Sequence, residues 1–216
     1  MYPIRTTPGF IIDSRPSGEA SKVFSIFTRD LGLIWAVAQG VRLEKSKLRY
    51  HTREYSLGIF SFVRGKEVWR LTSAQGVEKG DQRVEPTEAQ KEKGKSKDTI
   101  AIEKGEDYIG ELLPRIASLL KRLLNGEDPH PELFDGIQDV LTFLNTHPEL
   151  NQDQLKTFES LLVLRILHQL GYVGNVSEFE AAIKGEAITV ELLNACTPLR
   201  TLMNQHINKA LKESQL

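Results

Sequence analysis

The hydrophobic period of this chain changes once, and the change falls across a stretch with almost nothing to bury. Before residue 77 apolar residues alternate in short runs, and after about residue 100 they recur at spacings of three and four. Between them, residues 77–98 (VEKGDQRVEPTEAQKEKGKSKD) carry no aromatic residue, and twelve of the twenty-two are charged. A period of two belongs to strands and a period near 3.6 to helices, because that is how often a side chain returns to the same face. The pattern therefore predicts a sheet-forming part at 1–76, a charged linker at 77–98 and a helical domain at 99–216.

The first part reads as five strands: Thr7–Ser14, Ser21–Arg29, Leu33–Gln39, Glu54–Val63 and Glu67–Thr72. Each is rich in β-branched or aromatic residues. The turn residues Pro16-Ser17-Gly18, Asp30-Leu31-Gly32 and Arg64-Gly65-Lys66 separate several of them. Five short strands in about 70 residues favour a small closed barrel, since closure removes exposed edges. Pattern alone leaves an OB-like and an SH3-like barrel equally open.

The second part predicts packed helices. Ile109, Leu112, Leu113, Ile116, Leu119, Leu120, Leu123 and Leu124 form one apolar stripe, with Pro114 expected to kink it or mark a helix start. A second helix follows Asp128-Pro129-His130-Pro131. A third is N-capped at Asn151 and stops at Gly171. Ser177-Glu178-Phe179-Glu180 resembles a capping box for a short fourth helix, and Thr197-Pro198 an N-cap and first-turn proline for the last. The fold class expected is α+β, a five-stranded barrel followed by an α-helical bundle.

Charge is segregated along the same boundary. Residues 1–76 hold 12 Lys/Arg against 6 Asp/Glu, whereas the remainder holds 16 against 23, for a whole-chain net of −1. A basic module followed by an acidic one suggests a polyanion partner for the first part and another role for the second. No apolar run approaches the ~20 residues needed to cross a bilayer, so no membrane partner is expected. The start, Met1-Tyr2-Pro3-Ile4-Arg5, lacks the features of a signal peptide, and a cytoplasmic protein is expected.

Motifs for catalysis are missing. His51, His130, His147, His168 and His206 do not lie three or four residues from one another, and Cys196 is the lone cysteine, so metal-ligand spacing is absent. Gly94-Lys95-Ser96 lacks the earlier glycine of a phosphate-binding loop, since position 89 is alanine, and it lies in the charged linker. Ser118-Leu119-Leu120-Lys121 has the serine–lysine spacing of penicillin-binding enzymes but sits on an amphipathic helix without companion motifs. Neither an enzyme activity nor a cofactor or metal is expected.

The richest stretch is Gln39-Gly40-Val41-Arg42-Leu43-Glu44-Lys45-Ser46-Lys47-Leu48-Arg49, which brings Arg42, Lys45, Lys47 and Arg49 together with one acid. In a five-stranded barrel a connector after the third strand lies at the rim of the oligonucleotide face, where cations neutralise phosphates. Trp35, Tyr50 and Tyr55 have the chemistry to stack bases, but large aromatics beside strands are expected first in the barrel core. The candidate DNA-binding residues are Arg15, Lys22, Arg29, Arg42, Lys45, Lys47 and Arg49.

Three segments, Arg15-Pro16-Ser17-Gly18-Glu19-Ala20, Phe27-Thr28-Arg29-Asp30-Leu31-Gly32 and Ala38-Gln39-Gly40-Val41-Arg42 with Lys45-Ser46-Lys47, together resemble the N-terminal domain of RecO DNA repair proteins. The resemblance continues through Pro131–Asp135, through Leu164–Leu167 into Leu170-Gly171-Tyr172, and into Ala210–Ser214. It covers nearly the whole chain apart from 77–98. It implies an OB-fold followed by a helical domain, a nucleoid-associated location and binding to single-stranded DNA. It also implies annealing of complementary strands without nucleotide hydrolysis, contact with single-stranded DNA-binding protein, and partnership with RecR to load RecA.

Two departures stand out. Many relatives carry a four-cysteine zinc site where this chain reads Val173-Gly174-Asn175-Val176-Ser177, so no zinc is expected, and a lysine is common where Gln39 stands. The acidic helical part would repel DNA, which assigns it to protein contacts. Arg115, Lys121, Arg122 and Arg165 are candidates to receive the acidic tail of single-stranded DNA-binding protein. The alternative is an interaction adaptor whose barrel does not itself bind DNA.

Overall fold

The computed structural model describes residues 3–66, 68–76, 97–174, 176–185 and 187–214; the expected linker lies outside them as far as residue 96. The chain divides into two compact units, Met1–Lys79 with Leu113–Gln138, and Gly80–Leu112 with Asp139–Leu216. No described helix is long and apolar enough to cross a membrane.

In the first unit, strands β1 (Ile4–Ser17), β2 (Ser21–Thr28), β3 (Gly32–Ala38), β4 (Leu57–Arg64) and β5 (Trp69–Gly76) close into a barrel of order β1-β2-β3-β5-β4. This is the OB-like barrel that the resemblance implies. Antiparallel neighbours alternate around it except for β3 and β5, which run parallel. A bulge between Ile11 and Asp13 lets the long strand β1 pair with both β2 and β4. One set of alternating side chains fills the interior: Phe24 and Ile26 from β2, Ile34, Ala36 and Ala38 from β3, and Phe60 and Phe62 from β4. The small alanines of β3 make room for the phenylalanines across the lumen.

The opposite set faces outward, and half of it is covered. The cross-strand row Phe10–Phe27–Leu33 is buried although it points away from the lumen. Two helices belong in part to this unit: α1 (Lys97–Leu123) from Leu113 onward, and α2 (Pro131–Thr146) as far as Gln138. Phe134 of α2 meets Phe27 edge-on at 5.6 Å between ring centroids. Replacing Phe134 by alanine should cost about 3–5 kcal/mol of stability, read as a lower urea midpoint, because it leaves a ring-sized cavity against the barrel.

The connection between α1 and α2 is held to the barrel by backbone. Leu33 N–H donates to Gly126 O at 2.8 Å, and the Asp128 backbone passes directly over Gly32. Glu127 accepts hydrogen bonds from the Arg64 guanidinium and from the Trp69 indole N–H, while Arg64 also lies 4.9 Å over the Trp69 ring. Lys121 donates to Asp13 at 2.6 Å.

In the second unit, α3 (Gln152–Gln169) is buried around most of its circumference, as expected of a central helix. Its N-terminus has a full capping box, Asn151 and Gln154 each bonding the other's backbone N–H, and Gly171 ends it with φ +80°. Phe158 stacks on Phe143 at 5.8 Å, and Met203, Ile207 and Ala210 are buried on α6 (Arg200–Glu213). Between α3 and α6 lie the short helices α4 (Glu180–Lys184) and α5 (Val190–Cys196).

Three local expectations are corrected. Of the two readings of Pro114 the helix start fails, because α1 runs through it; the carbonyl four residues earlier belongs to exposed Gly110, where water can replace the lost hydrogen bond. Ser177 caps nothing: its hydroxyl donates to Glu178, and a 3-10 turn at Ser177–Phe179 precedes α4. Thr197 is not an N-cap either, because its hydroxyl donates back to Leu193 O. The capping threonine in this region is Thr189, at the start of α5, a helix that the hydrophobic spacing does not reveal.

Candidate nucleic-acid interface

The connector from β3 to β4 folds because two of its apolar residues, Val41 and Leu48, pack into an open end of the barrel. Leu48, in a 3-10 turn at Lys47–His51, packs against the barrel core, and Val41 is buried at the same end. With Leu48 turned inward, Lys47, Arg49 and Tyr50 are left exposed. Thr52 Oγ1 donates to Leu48 O at 2.8 Å and closes the turn. The start of the connector is stitched to the β1–β2 turn: Arg42 N–H donates to Ala20 O, and the Arg42 guanidinium donates to Gly18 O at 3.2 Å. Its end is fixed by Tyr55, whose N–H donates to Ile11 O. Tyr55 has φ 63°, a left-handed conformation that costs a non-glycine residue about 1 kcal/mol.

Between this connector and the β1–β2 hairpin lies an open groove of about 690 Å³, lined by Ser14, Lys22, Arg49, Tyr50, Thr52, Arg53 and Glu54. It shares Lys22, Arg49 and Thr52 with a smaller hollow of about 270 Å³ that reaches Phe24, Val41 and Arg42. The two therefore run together. Four cations, Lys22, Arg42, Arg49 and Arg53, line this space against a single carboxylate, Glu54, which accepts a 2.6 Å hydrogen bond from Ser14. Lys22 Nζ donates to the same Ser14 hydroxyl and lies 5.9 Å from the Phe24 ring centre, so its alkyl stem is held along the barrel mouth. Tyr50 is 68% exposed at the groove wall.

The seven sequence-derived candidates separate spatially. Lys22, Arg42 and Arg49 line the groove, and Lys45 and Lys47 are exposed on the same connector. Arg15 is exposed on the other face of the β1–β2 hairpin, in register with Val23. Arg29 faces α2, donating twice to Asp135 at 2.7 and 2.8 Å. That pair holds the Asp135 carboxyl below the usual carboxylate range, chiefly through the hydrogen bond, and raises the Arg29 guanidinium. Arg53 is not among the sequence candidates, although it follows Arg49 by four residues just past the end of the basic stretch.

The aromatics also differ from expectation. Tyr50 and Trp35 are not in the barrel core: both are substantially exposed, Trp35 at 45% on the outer side of β3. Among the candidate tail-binding cations, Lys121 is engaged by Asp13, and the Arg165 Nε–H donates to Ala182 O at 2.8 Å.

Comparison with known proteins agrees with the barrel fold. Residues 1–79 match the family model described as recombination protein O N terminal. The DNA repair protein RecO of Dehalococcoides mccartyi strain 195 is 36% identical over 72 residues, 33% of this chain and 28% of that protein. The RecO of Actinobacillus pleuropneumoniae serotype 7 is 27% identical over 169 residues, 78% of this chain and 60% of its own. That of Paraburkholderia xenovorans is 28% identical over 181 residues, 79% of this chain and 48% of its own. The chain thus spans less than two thirds of the length of these relatives.

Proposed function

In a chain whose residues 1–79 match the family model described as recombination protein O N terminal, we propose that the barrel-mouth groove binds single-stranded DNA in the service of DNA repair and recombination. The observation that carries this reading is the groove itself: four cations and an exposed tyrosine facing one hydrogen-bonded carboxylate. Such a surface suits a flexible polyanion better than a small ligand. Cations along a groove track the backbone, and an exposed ring accepts any base on its π-face.

The mechanism is electrostatic and needs no nucleotide hydrolysis. Lys22, Arg42, Lys45, Lys47, Arg49 and Arg53 displace condensed counterions from a strand, and neutralised strands approach one another with less repulsion. Pairing is then downhill. Arg29 is left out of this set because Asp135 occupies its donors. The same proposal extends to the partners that the family resemblance implies: single-stranded DNA-binding protein, RecR and, through them, loading of RecA, with no enzyme activity of its own.

Annealing of complementary oligonucleotides tests this reading. The purified chain should accelerate duplex formation without ATP, and should do so also on strands coated with single-stranded DNA-binding protein. Spontaneous rates unchanged by the protein, on bare and coated strands alike, would contradict it and favour an adaptor that only scaffolds partners.

A further inference from the structure

The outer face of the β1–β2–β3 sheet is only half covered. At one end the row Phe10–Phe27–Leu33 lies under helix side chains; at the other, a row in register across four strands, Arg15–Val23–Val37–Arg70, is open to solvent. Both arginines are exposed and both valines partly buried, so the row is a short apolar strip with a guanidinium at each end. Trp35 stands two residues from Val37 on the same face, about 7 Å along the strand, and opposite Ser25. The protein's other tryptophan, Trp69, is 7% exposed and donates to Glu127, whereas Trp35 keeps 45% of its surface in water.

Charge indicates what this face receives. The row contains no acid, and Asp13, opposite Ser25 in the next row, is occupied by Lys121. An acidic or mixed-charge protein surface would want donors spread through the patch. Two cations at the ends of an apolar strip, with an exposed indole in the adjacent row, instead match a strand whose phosphates run past the arginines while a base lies on the ring. The groove is on the other side of the same hairpin: Ser14 and Lys22 line it, and their chain neighbours Arg15 and Val23 point the opposite way.

We infer that the Trp35 face, with Arg15 and Arg70, is a second binding surface for single-stranded nucleic acid, so that one barrel holds two strands on the two faces of its β1–β2 hairpin. This rests on the groove binding the first strand, and it gives annealing a geometry, with two partly neutralised strands kept within one small domain.

The test uses the full chain with two oligothymidylates of fifteen nucleotides, one carrying a fluorescence donor and the other an acceptor. With one protein and one of each strand, energy transfer should appear, and the emission of Trp35 should be quenched. Trp35→Ala and Arg70→Ala should each remove most of the transfer and slow annealing of complementary strands at least fivefold. Affinity for the first strand should stay within about twofold, and Trp35→Phe should recover the loss. If Trp35→Ala fails to fold, Arg70→Ala and Arg15→Ala carry the same comparison, since both side chains are exposed. A stoichiometry of one strand per protein, unquenched tryptophan emission, or unchanged transfer and annealing in the folded variants would overturn the second surface while leaving the groove intact. Absence of any strand binding by the unaltered protein would overturn both.

Discussion

Gly32→Ala is expected to destabilise the barrel and its helical cover by on the order of 4 kcal/mol, among the largest effects a single methyl group can have. Two independent penalties add at this position. Its φ is +71°, where a side chain costs about 1–2 kcal/mol, and a Cβ there would stand 2.4 Å from Asp128 O and 2.5 Å from Asp128 N. The obstruction is backbone, so no rotamer change relieves it. The chain between α1 and α2 would have to lift, and with it the Leu33 N–H to Gly126 O bond and the Glu127 contacts with Arg64 and Trp69. A urea titration followed by Trp69 emission reads this. A loss below about 1 kcal/mol would mean that the loop does not press on the β2–β3 turn. Gly18, also at positive φ but with open space around it, is the control: alanine there should show only the conformational penalty.

The second large effect concerns binding. Arg42→Ala combined with Arg49→Ala removes two groove cations, so the log–log salt slope for a single-stranded oligonucleotide should become shallower by about 1.4. Extrapolated to 0.15 M salt, that is roughly a 15-fold weaker complex, and the deficit should shrink as salt rises. Tyr50→Ala should act differently. It removes a stacking surface worth about 1–3 kcal/mol and no charge, so affinity falls at every salt concentration while the slope stays the same. All three side chains are exposed, and thermal unfolding of these variants should match the parent to within about 0.5 kcal/mol. An unchanged slope in the double variant would take Arg42 and Arg49 out of the strand path.

Much of this architecture is legible in the order of the residues, because periodicity is a direct record of burial. The alternation of Leu33, Trp35, Val37 with Ile34, Ala36, Ala38 announces a strand. It does not say which set is inside, since both are apolar. In the fold the smaller set faces the lumen, and of the larger only Leu33 is covered from outside. The helices of the second unit are readable where a cap coincides with an apolar stripe, as at Asn151. They are not readable at α5, whose seven residues are too few to show a period.

The groove is half legible. The basic run from Arg42 to Arg49 marks the connector, but only the inward turn of Leu48 decides which of its side chains face outward, and that depends on the barrel having an open end to receive it. Arg29 shows the reverse limit. A cation beside a turn looks free in sequence, whereas its partner Asp135 lies 106 residues away. For Trp35 and Tyr50 the default for a large aromatic, burial, fails on surfaces that leave part of the ring in water.

Whether the mouth of the barrel holds an unpaired strand decides the rest, and one titration addresses it most directly. Fluorescence anisotropy of a labelled oligothymidylate, followed from 20 mM to 300 mM salt, should give saturable binding with a log–log slope near −4, the value for about six phosphate contacts. Binding with no salt dependence, or no binding at 20 mM, would contradict it.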